Sequence, residues 1–525
     1  MILQKLLLST TATLIGFGLL KIGKLIVRQV TSPLRNIDGP KSTNWLFGNL
    51  GKLFKSDDMV LVEEWVQEYG QTLKFYGFLN TARLLTVDLR ALNHILTHSM
   101  DYQKPEPVKY SLSQILGKGV LVVEGAQHRQ QRRIMNPAFG PGQIRDLTEV
   151  FLAKSIKLRD ILMSESKDEK GNPKRTDILA WMSRMTLDVI GLAGFNYEFN
   201  SLDTSVKKNE LNEAFETLFS ASTSVKALPM LQLWIPSLRA IPTERGRQIT
   251  FAQNTMRRIG RDLLRDAKAA IMDPQDQKKG VVEKISLRGR KLSDEDVLAQ
   301  VPTFLVAGHE TTSTATTWAL FALTQHPEVQ AKLREELLSL ESDTPSMDEL
   351  SALPYLDGVV RETLRVHSPV PSTIRVAMKD DILPLDTPFT DKNGQVQTEI
   401  KVSKGDTIFI PILAVNRSEA LWGPDAKEFK PERWEASPES ASNIPGIWGH
   451  LLTFLGGPRA CIGYRFSLIE IKALLFTLVR AFEFTLAVPA GDIIKSVEAV
   501  QRPFIRSEPG SNSQMPPFIK PYHRA

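Results

Sequence analysis

The 525-residue chain has one cysteine, Cys461, in the stretch Phe454-Leu-Gly-Gly-Pro-Arg-Ala-Cys461-Ile-Gly463. A lone thiol cannot close an internal disulfide, but its thiolate can ligate a metal such as iron. Two glycines and a proline ahead of it favour a tight loop, and the apolar run from Phe466 to Leu478 reads as a buried helix. A sulfur at a helix N-terminus meets free N–H groups and the positive end of the dipole. With Arg459 adding charge, the sequence predicts a lowered thiol pKa. A second reactive group is Ala307-Gly308-His309-Glu310-Thr311-Thr312, an acid and a hydroxyl side by side inside an apolar run. A glycine there costs about 1 kcal/mol against alanine, and an unpaired buried carboxylate costs more, so function or local bonding must offset both. A threonine bonding back to the carbonyl one turn earlier is the competing explanation. In Tyr355 to Arg365, Glu362 and Arg365 stand three apart and can pair; if exposed, such a pair is worth only tenths of a kcal/mol.

Phe454, Gly457, Arg459, Cys461 and Gly463, with the two motifs above, resemble the signatures of the cytochrome P-450 family, the haem-thiolate monooxygenases. The resemblance covers residue 40 to the C-terminus and implies haem b, with Cys461 as axial iron ligand and Phe454 and Arg459 beside it. It implies a distal helix on which Ala307 and Gly308 leave room, while Glu310 and Thr311 relay protons. It assigns Glu362, Arg365 and Arg433 of Pro431-Glu-Arg-Trp434 to a structural triad. His128 and Arg132, four apart on a basic helix, and Arg375 after Pro369 would contact the haem propionates. Many members carry Trp where this chain has His128. His309 receives no catalytic role.

The implied fold is mainly α with a minor β region, the cytochrome P-450 fold with one N-terminal transmembrane helix. Residues 1–30 read as a membrane anchor and linker, because Leu6 to Leu20 carry no charge and Lys21, Lys24 and Arg28 follow. Basic flanks on that side place the body in the cytosol. Residues 31–525 read as the monooxygenase domain. Strand signals lie at Thr72–Gly77, Ala82–Asp88, Val370–Arg375, Glu399–Val402 and Thr407–Ile410, and a helix is expected from Leu89 to Leu96. Ser293-Asp-Glu-Asp296 forms a capping box opening a helix of roughly thirty residues, with Pro302 placed to bend it. The apolar, proline-broken stretch Ala227 to Leu238 reads either as core or as a flap at a membrane-fed channel mouth.

One cysteine fits a reducing compartment. A net charge of +6 comes from scattered Lys and Arg, which argues against nucleic acid and for an anionic membrane or an acidic partner. The resemblance is closest to fungal microsomal members: a single-pass protein of the endoplasmic reticulum membrane with its catalytic domain facing the cytosol. Such proteins use O2, with electrons from an NADPH-cytochrome reductase. Arg129, Arg133, Lys472 and Arg480 are basic residues for such a partner. Leu121, Val122, Phe304, Val370, Thr373 and Ile374 would line an apolar pocket for a lipophilic substrate, a terpenoid, sterol or other lipid. Three other classes stay open: a haem-thiolate isomerase or dehydratase that needs no O2, a non-enzymatic haem-binding protein, and a cysteine hydrolase without haem.

Overall fold

A computed structural model describes residues 27–166, 171–203, 227–271, 293–497 and 500–523, with positions 16, 20 and 23. The chain is helix-rich with small sheets and divides into two compact units, residues 1–103 with 372–414 and residues 104–371 with 415–525.

Unit 1 carries strands β1 (Thr72–Tyr76), β2 (Ala82–Thr86), β3 (Tyr102–Gln103), β4 (Thr373–Ala377), β5 (Asp381–Thr390), β6 (Val396–Val402) and β7 (Thr407–Ile410), and helices α1 (Val60–Tyr69) and α2 (Leu89–Thr97). Five strands form one sheet in the order β1-β2-β7-β4-β3, with β2 and β7 parallel; β5 and β6 make a separate hairpin. Leu73, Phe75, Leu85 and Phe409 are buried on one face of that sheet, and Leu84, Ile408 and Ile410 on the other. Buried Asp88 caps α2 by accepting from Arg90 N and Ala91 N, and also accepts from Asp386 N and Thr387 N of β5 at 2.9 and 2.8 Å. One carboxylate thus fixes helix and hairpin together. The expected anchor over residues 1–30 lies largely outside the described residues. Val27 to Thr31 is helical, and Arg28 pairs with Asp406 at 3.0 Å.

Unit 2 holds helices α3 (Gly125–Met135), α4 (Pro141–Glu165), α5 (Ile178–Phe195), α6 (Asp294–Gln325), α7 (Pro354–Val366) and α8 (Tyr464–Ala481), and the paired strands β8 (Phe482–Leu486) with β11 (Pro517–Pro521) and β9 (Ile493–Val497) with β10 (Gln501–Ile505). The Ser293 hydroxyl accepts from Asp296 N at 3.1 Å, the cap expected for α6, and the helix continues through Pro302 for 32 residues. Its glycine serves packing. A Cβ at Gly308 would lie 2.8 Å from Ile190 Cδ1 of α5, so the room expected there is filled by a neighbouring helix. Among the described residues, α5 alone has the length and apolarity to cross a membrane, yet it is mostly buried within unit 2. The stretch after Ala227 is a helix to Trp234 and a 3-10 turn over Pro236–Ala240, with Ile235 and Ile241 exposed.

Candidate active site

Cys461 sits in unit 2 three residues before α8, whose N-cap is Gly463. Its amide donates to Phe454 O at 2.9 Å, which closes the Gly-Pro loop, and Gly457 takes φ +66° inside it. The thiol is enclosed by protein, yet the residue is accessible to a solvent-sized probe. A side chain both interior and accessible faces an internal space. Burial pushes the thiol pKa up, while the Gly463 N–H and the Arg132 charge pull it down. The lowering expected from Arg459 is therefore not found: burial dominates, and the opposing charge is Arg132.

Arg459 is occupied elsewhere. Its guanidinium donates to Val123 O at 2.9 Å and pairs with Glu124, whose other oxygen accepts from Lys104 N at 3.1 Å. Arg132 on α3 donates to Ala460 O at 2.5 Å and to Asn136 Oδ1 at 2.8 Å. Burial lowers its pKa, and among the described residues it has no acidic side-chain partner. One turn away, His128 is buried, and that burial, followed by the charges of Lys104 and Arg132, holds its pKa down at about 4. Arg375, on β4 of unit 1, is buried too, and among the described residues its fork reaches only Thr373 Oγ1 and Ile374 O, both at 2.8 Å. Thr373 and Ile374 themselves are half-buried.

Two links join the Cys461 loop to α6. Phe139 lies 3.9 Å from a Cβ built on Gly463, and its ring is 5.6 Å from that of Phe304. The loop after residue 116 is pinned at one end by Gln300, whose Oε1 accepts from Val120 N at 2.9 Å, and at the other by Arg459 on Val123 O. Leu121 on this loop is exposed, whereas Val122 and Phe304 are buried and Val370 is half-buried. In the middle of buried α6, Ala307 and Thr311 remain partly accessible and, four apart, share one face. The Thr311 hydroxyl donates to Ala307 O at 2.7 Å, the local bond weighed from the sequence. Glu310 is buried and paired: Arg502 Nε of β10 stands 2.5 Å from its Oε1. His309 has its Nδ1 2.8 Å from Leu305 O and its Nε2 3.9 Å from Glu310 Oε2, and its carbonyl accepts from Thr186.

The three charged residues assigned to structure meet in unit 2. Glu362 accepts from Arg365 at 2.8 and 2.7 Å and from Arg433 at 3.3 Å, all buried. Lys430 N and Trp434 Nε1 also donate to it, and Asp425 holds Arg433 at 2.7 Å. Arg365 donates to Asn416 O, and the Asn416 side chain accepts from Leu452 N and donates to Thr453 Oγ1. Because Thr453 precedes Phe454, the triad is tied by two side chains to the loop that ends at Cys461. Of the basic residues expected for a partner, Arg129 and Arg133 are exposed. Lys472 is not available. It is buried and paired with Asp357 at 2.8 Å, because its helix face turns inward.

Sequence reasoning missed Glu124, Asn416, Asp425, Thr453 and Arg502. The Glu310–Arg502 pair joins residues 192 apart, and no local spacing signals it.

These residues fit haem b. An accessible thiol lies inside unit 2, and half-buried Arg132 beside it has, among the described residues, only neutral acceptors, a costly arrangement that a haem carboxylate would relieve. A family model described as Cytochrome P450 matches residues 38–503. "Cytochrome P450 monooxygenase 205" of Postia placenta is 58% identical over 519 residues, covering 95% of each chain. "Cytochrome P450 monooxygenase 128" of the same fungus is 50% identical over 533 residues, 98% of this chain and 97% of that one. "Cytochrome P450 monooxygenase claP" of Ampulloclitocybe clavipes is 37% identical over 491 residues, 90% of each. The chain belongs to the cytochrome P450 family of haem b monooxygenases, oxidoreductases that use O2 and a redox partner.

Proposed function

We propose that the protein is a membrane-bound monooxygenase of the endoplasmic reticulum, anchored by residues 1–30 with its body in the cytosol. It oxidises a lipophilic terpenoid, sterol or related lipid with electrons from an NADPH-cytochrome reductase. The observation that carries the reading is the accessible, enclosed Cys461 joined through Phe139 and Phe304 to α6, on which Ala307 and Thr311 are partly accessible on one face. Haem held by a thiolate supplies activation of O2 and transfer of one oxygen atom to a C–H bond. The chain does the rest. Cys461 must give up its proton to bind iron; the Gly463 N–H and Arg132 favour that loss, against burial. Arg132 and neutral His128 would hold haem propionates, and Arg375 would do so by the family's pattern alone. Glu310 would bring a proton from solvent to the Thr311 side, where the Thr311 hydroxyl, donating to Ala307 O, keeps its lone pairs free to accept a hydrogen bond. Leu121, Phe304 and Val370 would give the substrate apolar surface. Exposed Ile235 and Ile241 in the segment after Ala227 support contact with a lipid surface.

The test is the ferrous carbonyl spectrum of the purified protein and of Cys461→Ala, followed by candidate lipids fed to membranes containing a reductase, with products read by mass spectrometry. A red-shifted carbonyl band lost in Cys461→Ala is expected. A Cys461→Ala protein that keeps haem and turnover refutes the assignment, and product formed without reductant identifies an isomerase or dehydratase instead.

A further inference from the structure

Away from Cys461, unit 2 holds a cleft of about 660 Å³, walled by the end of α6, the helix Pro327–Leu338, both ends of α7 and residues 427–432. That volume lies within the range of small-molecule sites. Phe321 is the lining residue of α6 nearest in sequence to Thr311, and it stands about 15 Å further along the helix, so the cleft lies beyond the stretch that carries Ala307 and Thr311. Its walls are rings and aliphatic chains. Phe321 meets His367 edge-on at 6.1 Å, His326 lies 5.5 Å from Phe429, and Val329 and Val366 are buried beside them. At the mouth Lys332, Lys427 and Lys430 are matched by Glu328, Glu428 and Glu432, so the mouth does not select charge. The deep end does. His367 is 7% exposed, its ring is stacked on Trp318 at 5.4 Å, and its Nδ1 has no hydrogen-bond partner among the described residues. A buried nitrogen without a partner is costly and calls for an explanation. Burial, followed by the charges of Lys495, Arg417 and Arg365, holds its pKa well below the ordinary range, so the ring is neutral, with one N–H and one lone pair. The charged groups acting on it are all basic. Arg365 is matched by Glu362, whereas Lys495 Nζ sits 5.2 Å from the Trp318 ring and Arg417 Nε donates to Val366 O at 2.9 Å, one residue from His367.

We propose that this cleft is a binding site for a small aromatic carboxylate, separate from the haem site, with its rings against Phe321, Phe429 and Val329 and its carboxylate accepting from the His367 ring N–H. The walls favour a flat body of one or two fused rings, because aromatic faces and edges surround it. The acid end meets a deep polar atom that otherwise stays unpaired, in the field of Lys495 and Arg417. A neutral imidazole can donate to an anion without taking up a proton, so binding is not linked to proton uptake at His367. A plain hydrocarbon would leave the nitrogen orphaned, and an aliphatic acid would forgo the ring contacts.

The experiment titrates 2-naphthoate into the full-length, haem-loaded protein by isothermal calorimetry, with the haem absorption band followed in parallel, and repeats the titration under saturating imidazole, which occupies the iron. 2-Naphthamide and octanoate serve as the uncharged and the non-aromatic comparison. His367→Phe keeps a ring on Trp318 and removes the nitrogens, and Val329→Phe fills the cleft. 2-Naphthoate is expected to bind wild type without moving the haem band and with the same affinity when imidazole is present. Its affinity should fall about ten-fold in His367→Phe, the loss of one charge-assisted hydrogen bond, and further in Val329→Phe. The amide and octanoate should each bind several-fold more weakly than the acid. A haem band that shifts, together with binding abolished by imidazole, places the acid at the haem and overturns the proposal. Unchanged affinity in the two variants overturns it as well, as does an absence of binding up to roughly 10 mM. An amide as tight as the acid refutes the anionic part, and octanoate as tight as naphthoate refutes the aromatic part. Should His367→Phe not retain haem, Val329→Phe and the amide decide, because normal binding by that variant or an equal affinity for the amide is sufficient to overturn the site.

Discussion

Glu362→Gln removes one charge from the most heavily bonded carboxylate of unit 2 without changing its volume. Glu362 accepts from two nitrogens of Arg365 at 2.8 and 2.7 Å, from Arg433 at 3.3 Å, from Lys430 N at 3.0 Å and from Trp434 Nε1 at 3.1 Å. Arg365 is 0% exposed, so the amide leaves a fully buried guanidinium with backbone carbonyls and no counter-charge. Breaking a buried ion pair by neutralising one partner costs about 3–5 kcal/mol, a large share of a total stability of roughly 5–15 kcal/mol. With a urea slope of ~3 kcal/mol per molar, the unfolding midpoint should fall by roughly 1 to 1.7 M. Far-ultraviolet dichroism and haem absorption in parallel titrations measure it. Haem loss is expected to precede the dichroic change, because Arg365 reaches the Cys461 loop through Asn416 and Thr453. A variant that retains haem and unfolds within ~0.2 M of wild type would show that the triad does not support the loop.

Three other perturbations test separate features. Burial pushes the Glu470 carboxyl well above its ordinary range, opposed only by the neighbouring Thr312 hydroxyl among the described residues. A raised folded pKa gives stability that is complete below the unfolded value and is lost as pH rises through the folded one, so Glu470→Gln should be at least as stable as wild type at pH 7, with its advantage growing towards alkaline pH in urea titrations. His128 shows the opposite sign. With a folded pKa near about 4, its contribution is complete above the unfolded value of about 6.5 and is lost as pH falls towards 4, so His128→Gln should flatten the stability profile in that window. Gly308→Val places a side chain where Ile190 Cδ1 stands 2.8 Å from the first added carbon. It should cost about 1–3 kcal/mol, and part of that should return in the double variant with Ile190→Ala.

Local chemistry was legible in the sequence. The Ser293 cap, the strands at Thr72, Ala82 and Thr407, and the inward helix after Cys461 follow from spacing and periodicity, and the structure carries each of them. The clustering of Glu362, Arg365 and Arg433 came from resemblance, since a spacing of three by itself predicts a weak exposed pair. What escaped was partner choice over distance. Lys472 reads as a surface cation until α8 is seen to turn it towards Asp357, and Arg459 reads as the thiol's neighbour until Glu124 claims it. Gly308 reads as room for a ligand until Ile190 fills that room. The thiol pKa was misjudged for a related reason: loop charges can be counted in a sequence, whereas the depth of a side chain is set by elements hundreds of residues away.

The parallel pairing of β2 with β7 has a cost during biosynthesis. These strands lie more than three hundred residues apart, and all of unit 2 up to residue 371 is made between them. On the ribosome, the hairpin of β1 and β2 therefore waits with one flank lacking its backbone partners until β7 emerges. Nascent chains stalled before residue 407 should be prone to aggregate and to recruit chaperones, and chains released after residue 414 should not, because only then can the central strand of that sheet enter its slot.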